Sequence, residues 1–162
     1  MQPHRIAILA VLAVALSFPP FYAFAQDHIE ISGQTMLSLN GSVSLSIDEF
    51  DALAPRTIVK TSTPWHTATT FSGISGADFI RVTGAAGQAV TVRAINDYQT
   101  TIPISDLRDL GILFVTRMNG KRISVRQKGP VFVIYPFDQR PELKSELYYG
   151  RSIWQVNKIT VH

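Results

Sequence analysis

Apolar and polar residues alternate in short runs along most of this chain, and a two-residue period predicts strands where a period near 3.6 would predict helices. Asp27 to Ser32 and Ser42 to Ile47 alternate in this way, and Ser46 with Glu49 three residues on forms a capping box that predicts a helix through Leu53. Arg56 to Ser62 reads as a strand of the buried type. Ser75 is placed to cap a short helix through Val82 that stops at Gly84, and Val90 to Ile95 returns to strand character. Asn96-Asp97 is a turn signal, Tyr98 to Ile102 a short strand ended by Pro103, and Ser105 the cap of a helical turn ending at Gly111. In the last third, Ile112 to Met118 pairs through Asn119-Gly120 with Lys121 to Val125, because Asn-Gly between apolar runs favours a tight hairpin. Val131 to Tyr135 and Ile153 to Val161 follow as strands across a polar loop from Pro136 to Gly150.

Strands interspersed with three short helices, without regular alternation of strand and long helix, predict an α+β fold. It is mostly β, with mixed sheets, and not a doubly wound one. No repeat, low-complexity tract or second-domain linker interrupts the pattern.

One segment departs from it. Residues 1–25 carry Arg5, an apolar core from Ile6 to Phe18 and a small-residue site at Ala23-Phe24-Ala25, the three parts of a secretory signal. The apolar core is shorter than the roughly 20 residues that span a bilayer. Cleavage near Gln26 leaves residues 26–162, about 137 residues, as a single domain expected to be soluble and periplasmic. Without Arg5, fourteen basic residues face twelve acidic ones, and a balance so nearly even gives no nucleic-acid footprint.

Cysteine is absent from the whole chain, so thiolate ligation of zinc, iron, copper or molybdenum is excluded and stability rests on burial. The histidines of the mature part, His28, His66 and His162, are too scattered to form a spaced metal motif. What basic excess there is gathers between Arg117 and Pro136, where Arg117, Lys121, Arg122, Arg126 and Lys128 are interleaved with apolar, glycine and proline residues and no acid. Charges so interrupted are presented on folded backbone and suit a polar ligand. Lys128-Gly129-Pro130 adds a bend that can bring amides close to it.

Trp65 follows a strand, in Thr61-Ser62-Thr63-Pro64-Trp65-His66, and either closes the core or offers its indole to a ligand. Asn96-Asp97-Tyr98 is similarly placed, as an Asx-turn or as a carboxylate beside an aromatic ring. Arg151 and Trp154 flank the start of the final strand, where Trp154 reads as core or ligand contact. The alternating charges from Asp138 to Glu146 read as an exposed loop, and no nucleophile elbow, paired carboxylates or phosphate-binding loop is present.

Taken in order, Ile58 to Trp65, Phe71 to Gly73, Asn96-Asp97-Tyr98 with Ile102-Pro103, Lys128-Gly129-Pro130 to Pro136, and Ile153 to Ile159 resemble the molybdopterin-binding domain of sulfite-oxidase-like oxidoreductases. The likeness runs roughly from Ser42 to Val161 and rests on order and spacing. It implies that domain's fold. Catalytic members of the family carry a cysteine that ligates molybdenum where this chain has Thr61 or Ser62, and a hydroxyl is a poor substitute for that soft ligand. Gly129 and Pro130 are adjacent where the family separates them, and its lysine-tryptophan pair reads Ile153-Trp154.

These departures resemble the small, cysteine-free, exported branch that binds reduced pterins without catalysis or molybdenum. Members of that branch report to the periplasmic region of a membrane diguanylate cyclase or phosphodiesterase. On this resemblance a pterin's donor edge would meet Asp97, its ring would stack on Trp65 or Tyr98 beside Trp154, and its oxo edge would face Arg117, Arg126, Lys128 or Arg151. A molybdenum-cofactor oxidoreductase without the cysteine ligand, and a degenerate domain serving as an envelope scaffold, are the alternatives.

Overall fold

Ten strands and four short helices are built from residues 28–38 and 41–162, which the computed structural model describes. The expected signal and its cleavage site lie outside the described residues. Among the described residues no helix is long and apolar enough to cross a membrane.

Strands β1 (His28–Gly33), β2 (Ser42–Ser46), β5 (Ala89–Ala94), β6 (Gln99–Pro103) and β10 (Val156–Val161) form the first sheet, in the order β2-β1-β10-β5-β6. Its β1–β10 pair is parallel and its other pairs are antiparallel. The second sheet contains β3 (Thr57–Thr63), β4 (His66–Ser75), β7 (Leu113–Met118) and β8 (Lys121–Arg122), and β9 (Phe132–Ile134) also pairs with β7. The fold is therefore the mostly-β, mixed-sheet α+β architecture that the alternating pattern predicts.

The helices are α1 (Ile47–Ala52), α2 (Gly76–Thr83), α3 (Ile104–Asp109) and α4 (Glu146–Arg151). The capping box forms as predicted: Ser46 Oγ accepts from the Glu49 amide at 3.2 Å, and Glu49 accepts from the Ser46 amide at 2.8 Å. Ser75 caps α2 by accepting from the Asp78 amide, and Gly84 ends it with φ 62°, a left-handed geometry that glycine adopts without steric cost.

One core cluster joins inward residues of both sheets, among them Ile31, Val92 and Ile159 from the first and Ile74, Phe114 and Val133 from the second, with Phe50, Phe79 and Leu107 from the helices. A second cluster covers the other face of the second sheet: Phe71, Leu113, Val115, Ile123, Phe132 and Ile134, with Trp154 packed against it.

Five features differ from the sequence expectation. The longest strand, β4, reads HTATTFSGIS, whose threonines fit a pleated sheet but break the apolar alternation that would have announced it. Its partner β3 is an edge strand, with Ile58 67% exposed and Thr61 its buried residue, so the predicted burial of that segment is corrected. Helix α3 begins beside Pro103, whose φ of −57° suits a helix entry, and Ser105 lies inside it without capping it. The hairpin arm predicted to Val125 pairs only at Lys121–Arg122, and the polar loop contains α4.

Candidate functional site

The strongest convergence of side chains lies where the two sheets are joined. Gln155 has φ 57°; its amide donates to the Lys128 carbonyl at 3.0 Å, and its own carbonyl accepts from the Ile95 amide at 2.9 Å. On either side of it, the Val133 amide donates to the Ile153 carbonyl and the Val156 amide to the Val131 carbonyl, each at 2.9 Å. These bonds bring the β5–β6 turn, the loop before β9 and the entry to β10 to one place. The tip of the β3–β4 hairpin leans against them.

Trp65 sits on that tip, its amide bonded to Thr63 Oγ1 at 3.2 Å. Its ring meets Trp154 edge-on, with centroids 5.0 Å apart and planes at 73°. Phe132 lies 6.2 Å from both indoles and from His66. Lys128, held at φ 79°, places its Nζ 3.9 Å from the Trp154 centroid and 5.7 Å from that of Trp65, a cation over aromatic faces. Burial first, and then the Lys128 ammonium, push the His66 imidazole below its usual range.

Next to the tryptophan pair opens a cavity of about 400 Å³. Its walls include Trp65, Trp154, Tyr98 and Tyr149, with Asn96, Glu146 and Ser152 as further polar groups. That volume falls in the range of small-molecule sites, and aromatic walls with few polar groups suit a flat heterocycle.

Of the predicted residues, the structure brings together Trp65, Tyr98 and Trp154 at the cavity, with Lys128 seated on the indoles. The other four are elsewhere. Asp97 takes the left-handed position of the turn, φ 66°, with its carboxylate 82% exposed and 3.4 Å from Arg93. The Asx-turn reading holds there, since Asn96 Oδ1 accepts from the Tyr98 amide at 3.3 Å.

Arg117 faces Arg122 across the β7–β8 pair, and both surround Asp51, at 3.5 and 3.3 Å. Arg126 is exposed on the turn Val125–Gln127 and lines none of the cavity. Arg151 donates to Asp106 Oδ2 at 2.7 Å, beside the buried Tyr135 hydroxyl, which donates to the same oxygen at 2.9 Å. The basic run is thus divided by its own hairpin, with Arg117 and Arg122 committed to structural acids and Lys128 to the indoles. Glu146 and Tyr149 are missed by the sequence reading, because a sign-alternating run conceals a two-turn helix whose one face closes the cavity.

The residues do not fit a molybdenum centre. Thr61 is fully buried, its Oγ1 accepting from the Asp138 amide at 3.0 Å and donating to the Ser62 carbonyl. Ser62 Oγ donates to Asp138 Oδ1 at 2.6 Å. The Ser62 hydroxyl, then Lys144, hold the Asp138 carboxyl down at about 2. Both hydroxyls therefore fasten the loop after β9, and the described residues contain no group of three or more His, Cys, Asp or Glu able to hold a metal ion.

No protein-family model and no curated protein sequence matches the chain. Among solved structures it is similar to the sulfane dehydrogenase SoxCD from Paracoccus pantotrophus, with a TM-score of 0.62 and 11% identity over 85% of this chain and 39% of that one. The likeness is one of fold, mixed α+β with two sheets and short helices, and the chain spans about two fifths of the dehydrogenase chain.

The Lys128 contact predicts a change that titration can read. In Lys128→Met, one of the two causes depressing His66 is gone, so its pKa should rise toward the ordinary 6.5, followed by NMR of the ring protons. Because the folded-state pKa is depressed, the unfolded chain binds the proton more readily below about pH 6.5. The stability contributed by neutral His66 is present above that pH and is lost as pH falls through the folded pKa; in the variant this loss should be smaller. An unmoved His66 titration would separate the ammonium from the ring.

Proposed function

We propose that this protein binds a free, reduced pterin in the cavity beside Trp65 and Trp154 and acts as a sensor without catalysis of its own. The observation that carries the reading is the cavity itself: aromatic rings on several walls, three polar side chains besides the tyrosines, and about 400 Å³ of space. A pterin presents stacking faces and a donor-rich edge of ring N–H and exocyclic amine, which suit such walls.

The sequence resemblance to the cysteine-free pterin-binding branch supports the same ligand, as does the likeness in fold to an oxidoreductase. Among the described residues the cavity lining contains no lysine or arginine, which favours a pterin without the phosphate that molybdopterin carries. With Thr61 and Ser62 tied to Asp138, the metal chemistry of the catalytic members has no first ligand here. By the same resemblance, the protein is exported to the periplasm and signals to the periplasmic region of a membrane enzyme that makes or degrades cyclic di-GMP.

Anaerobic titration with tetrahydropterin should quench the tryptophan fluorescence and saturate at one ligand per chain, and mass spectrometry of small molecules released from purified protein should find a pterin. Removing the stacking surface in Trp154→Ala should weaken binding by about 1–3 kcal/mol, the usual worth of an aromatic platform under a heterocyclic base. Saturating additions without quenching or calorimetric heat would reject the pterin. Capture of the periplasmic region of a diguanylate cyclase or phosphodiesterase that responds to the pterin would support the signalling role, and capture indifferent to it would reject that role.

A further inference from the structure

Resting on the pterin reading above, we infer that Glu146 on α4, and not Asp97, is the carboxylate that reads the donor edge of the ligand. Glu146 is exposed and is the one carboxylate lining the cavity, and its side chain makes no hydrogen bond or ion pair among the described residues. Asp97, also exposed, is absent from the lining and lies 3.4 Å from Arg93.

The surroundings of Glu146 fit that task. Tyr149, one turn along the helix, and Trp154 beyond its end line the same cavity, so a heterocycle packed on them has one edge toward the first turn of α4. Helix and cavity are held in relation by Arg151, the last residue of α4, through its 2.7 Å bond to Asp106. Asn96, also in the lining, provides an amide, a group able to serve the oxo side of the ring.

A carboxylate offers two acceptors side by side, and a pterin offers two donors side by side, its ring N–H and its amine. Glu146 would therefore set specificity at one position: tetrahydropterin over tetrahydrolumazine, whose oxo group replaces the amine and would place an acceptor against an acceptor. An acid in the first helical turn is also favoured by the helix dipole, whatever the cavity holds. Loss of affinity alone is therefore a weak readout, and an exchange of preference is the decisive one.

The test is calorimetric titration of tetrahydropterin and tetrahydrolumazine, kept anaerobic, into the wild-type chain, Glu146→Gln and Asp97→Asn. Wild type should prefer tetrahydropterin by tenfold or more. In Glu146→Gln that preference should collapse or reverse, since the amide can donate to the oxo group, while Asp97→Asn should match wild type with both ligands. Glu146→Gln with the wild-type preference would overturn the assignment and leave the pterin reading standing. A change in preference in Asp97→Asn would return the role to that residue. Wild-type protein that binds neither compound would remove the pterin reading and this inference with it.

Discussion

Asp51→Ala should lower the unfolding free energy by about 3–5 kcal/mol, the range observed when one member of a buried ionic cluster is removed. The side chain is 6% exposed and faces three guanidinium groups, with Arg56 at 3.0 Å, Arg122 at 3.3 Å and Arg117 at 3.5 Å. Thr116 donates to it at 2.6 Å. Burial works against the carboxylate, yet bonds from Thr116 and Arg56, with the charge of Arg122, outweigh it and hold its pKa below 3.8. Without Asp51, three cations share the end of β7, and among the described residues Asp48, paired with Arg122, is the acid left to them.

The direction with pH follows from that depressed value. The contribution of Asp51 is complete above about pH 4 and is lost as pH falls through the folded pKa, so wild type and variant should converge in acid. Urea unfolding followed by circular dichroism at neutral and acid pH checks both points. A neutral-pH loss below about 1 kcal/mol would mean that the cluster behaves as a set of surface pairs. Replacing Arg117 and Arg122 by Met in the Asp51→Ala background should recover much of the loss, because the uncompensated charges would be gone. Pterin affinity should be untouched, since none of these residues lines the cavity.

Asp106→Ala should be nearly as costly, at about 3 kcal/mol, a fall in Tm of roughly 10 °C for a domain of this size. Its side chain is 11% exposed and that of Arg151 is 20% exposed. The variant strands the guanidinium and the buried Tyr135 hydroxyl, whose ionisation is pushed far up by burial and then by the Asp106 charge. Here the functional consequence differs from that at Asp51. Arg151 ends α4, so its release loosens the wall that bears Glu146 and Tyr149, and pterin affinity should fall although Asp106 is absent from the cavity lining. Tyr135→Phe provides the contrast: it should cost about 1 kcal/mol and leave affinity unchanged. Equal affinity in wild type and Asp106→Ala, measured below the melting range of the variant, would uncouple this cluster from the cavity.

How far the sequence discloses such a molecule depends on whether the signal is local. The capping box at Ser46 and Glu49, the cap at Ser75 with its stop at Gly84, and the Asn119-Gly120 turn are each contained within a few residues and form as the sequence predicts, whereas the hairpin arm beyond the turn, a longer-range feature, stops at Arg122. Strand β4 was hidden because its threonines earn their place through neighbours on β3 and β7, which no short window contains. At the site, Trp65 and Trp154 were legible as large aromatics at strand ends. Asp97 is one residue away from the lining: in a tight turn with φ 66° its side chain leaves the face that its neighbours Asn96 and Tyr98 line. The arginines were legible as a group and misplaced as one, because a hairpin carries Arg117 and Arg122 to Asp51 and leaves only Lys128 with the tryptophans.

The main-chain seam around Gln155 has a bearing on how such a domain can change over time. The amides of Ile95, Val133, Gln155 and Val156 all donate across it to backbone carbonyls, so the joint between the sheets is written in peptide groups that every sequence shares. The rings and polar groups of the cavity are fastened to that joint without forming it. Their identities can therefore drift, one residue at a time, and the domain can exchange one occupant for another while the frame that presents it stays as it was.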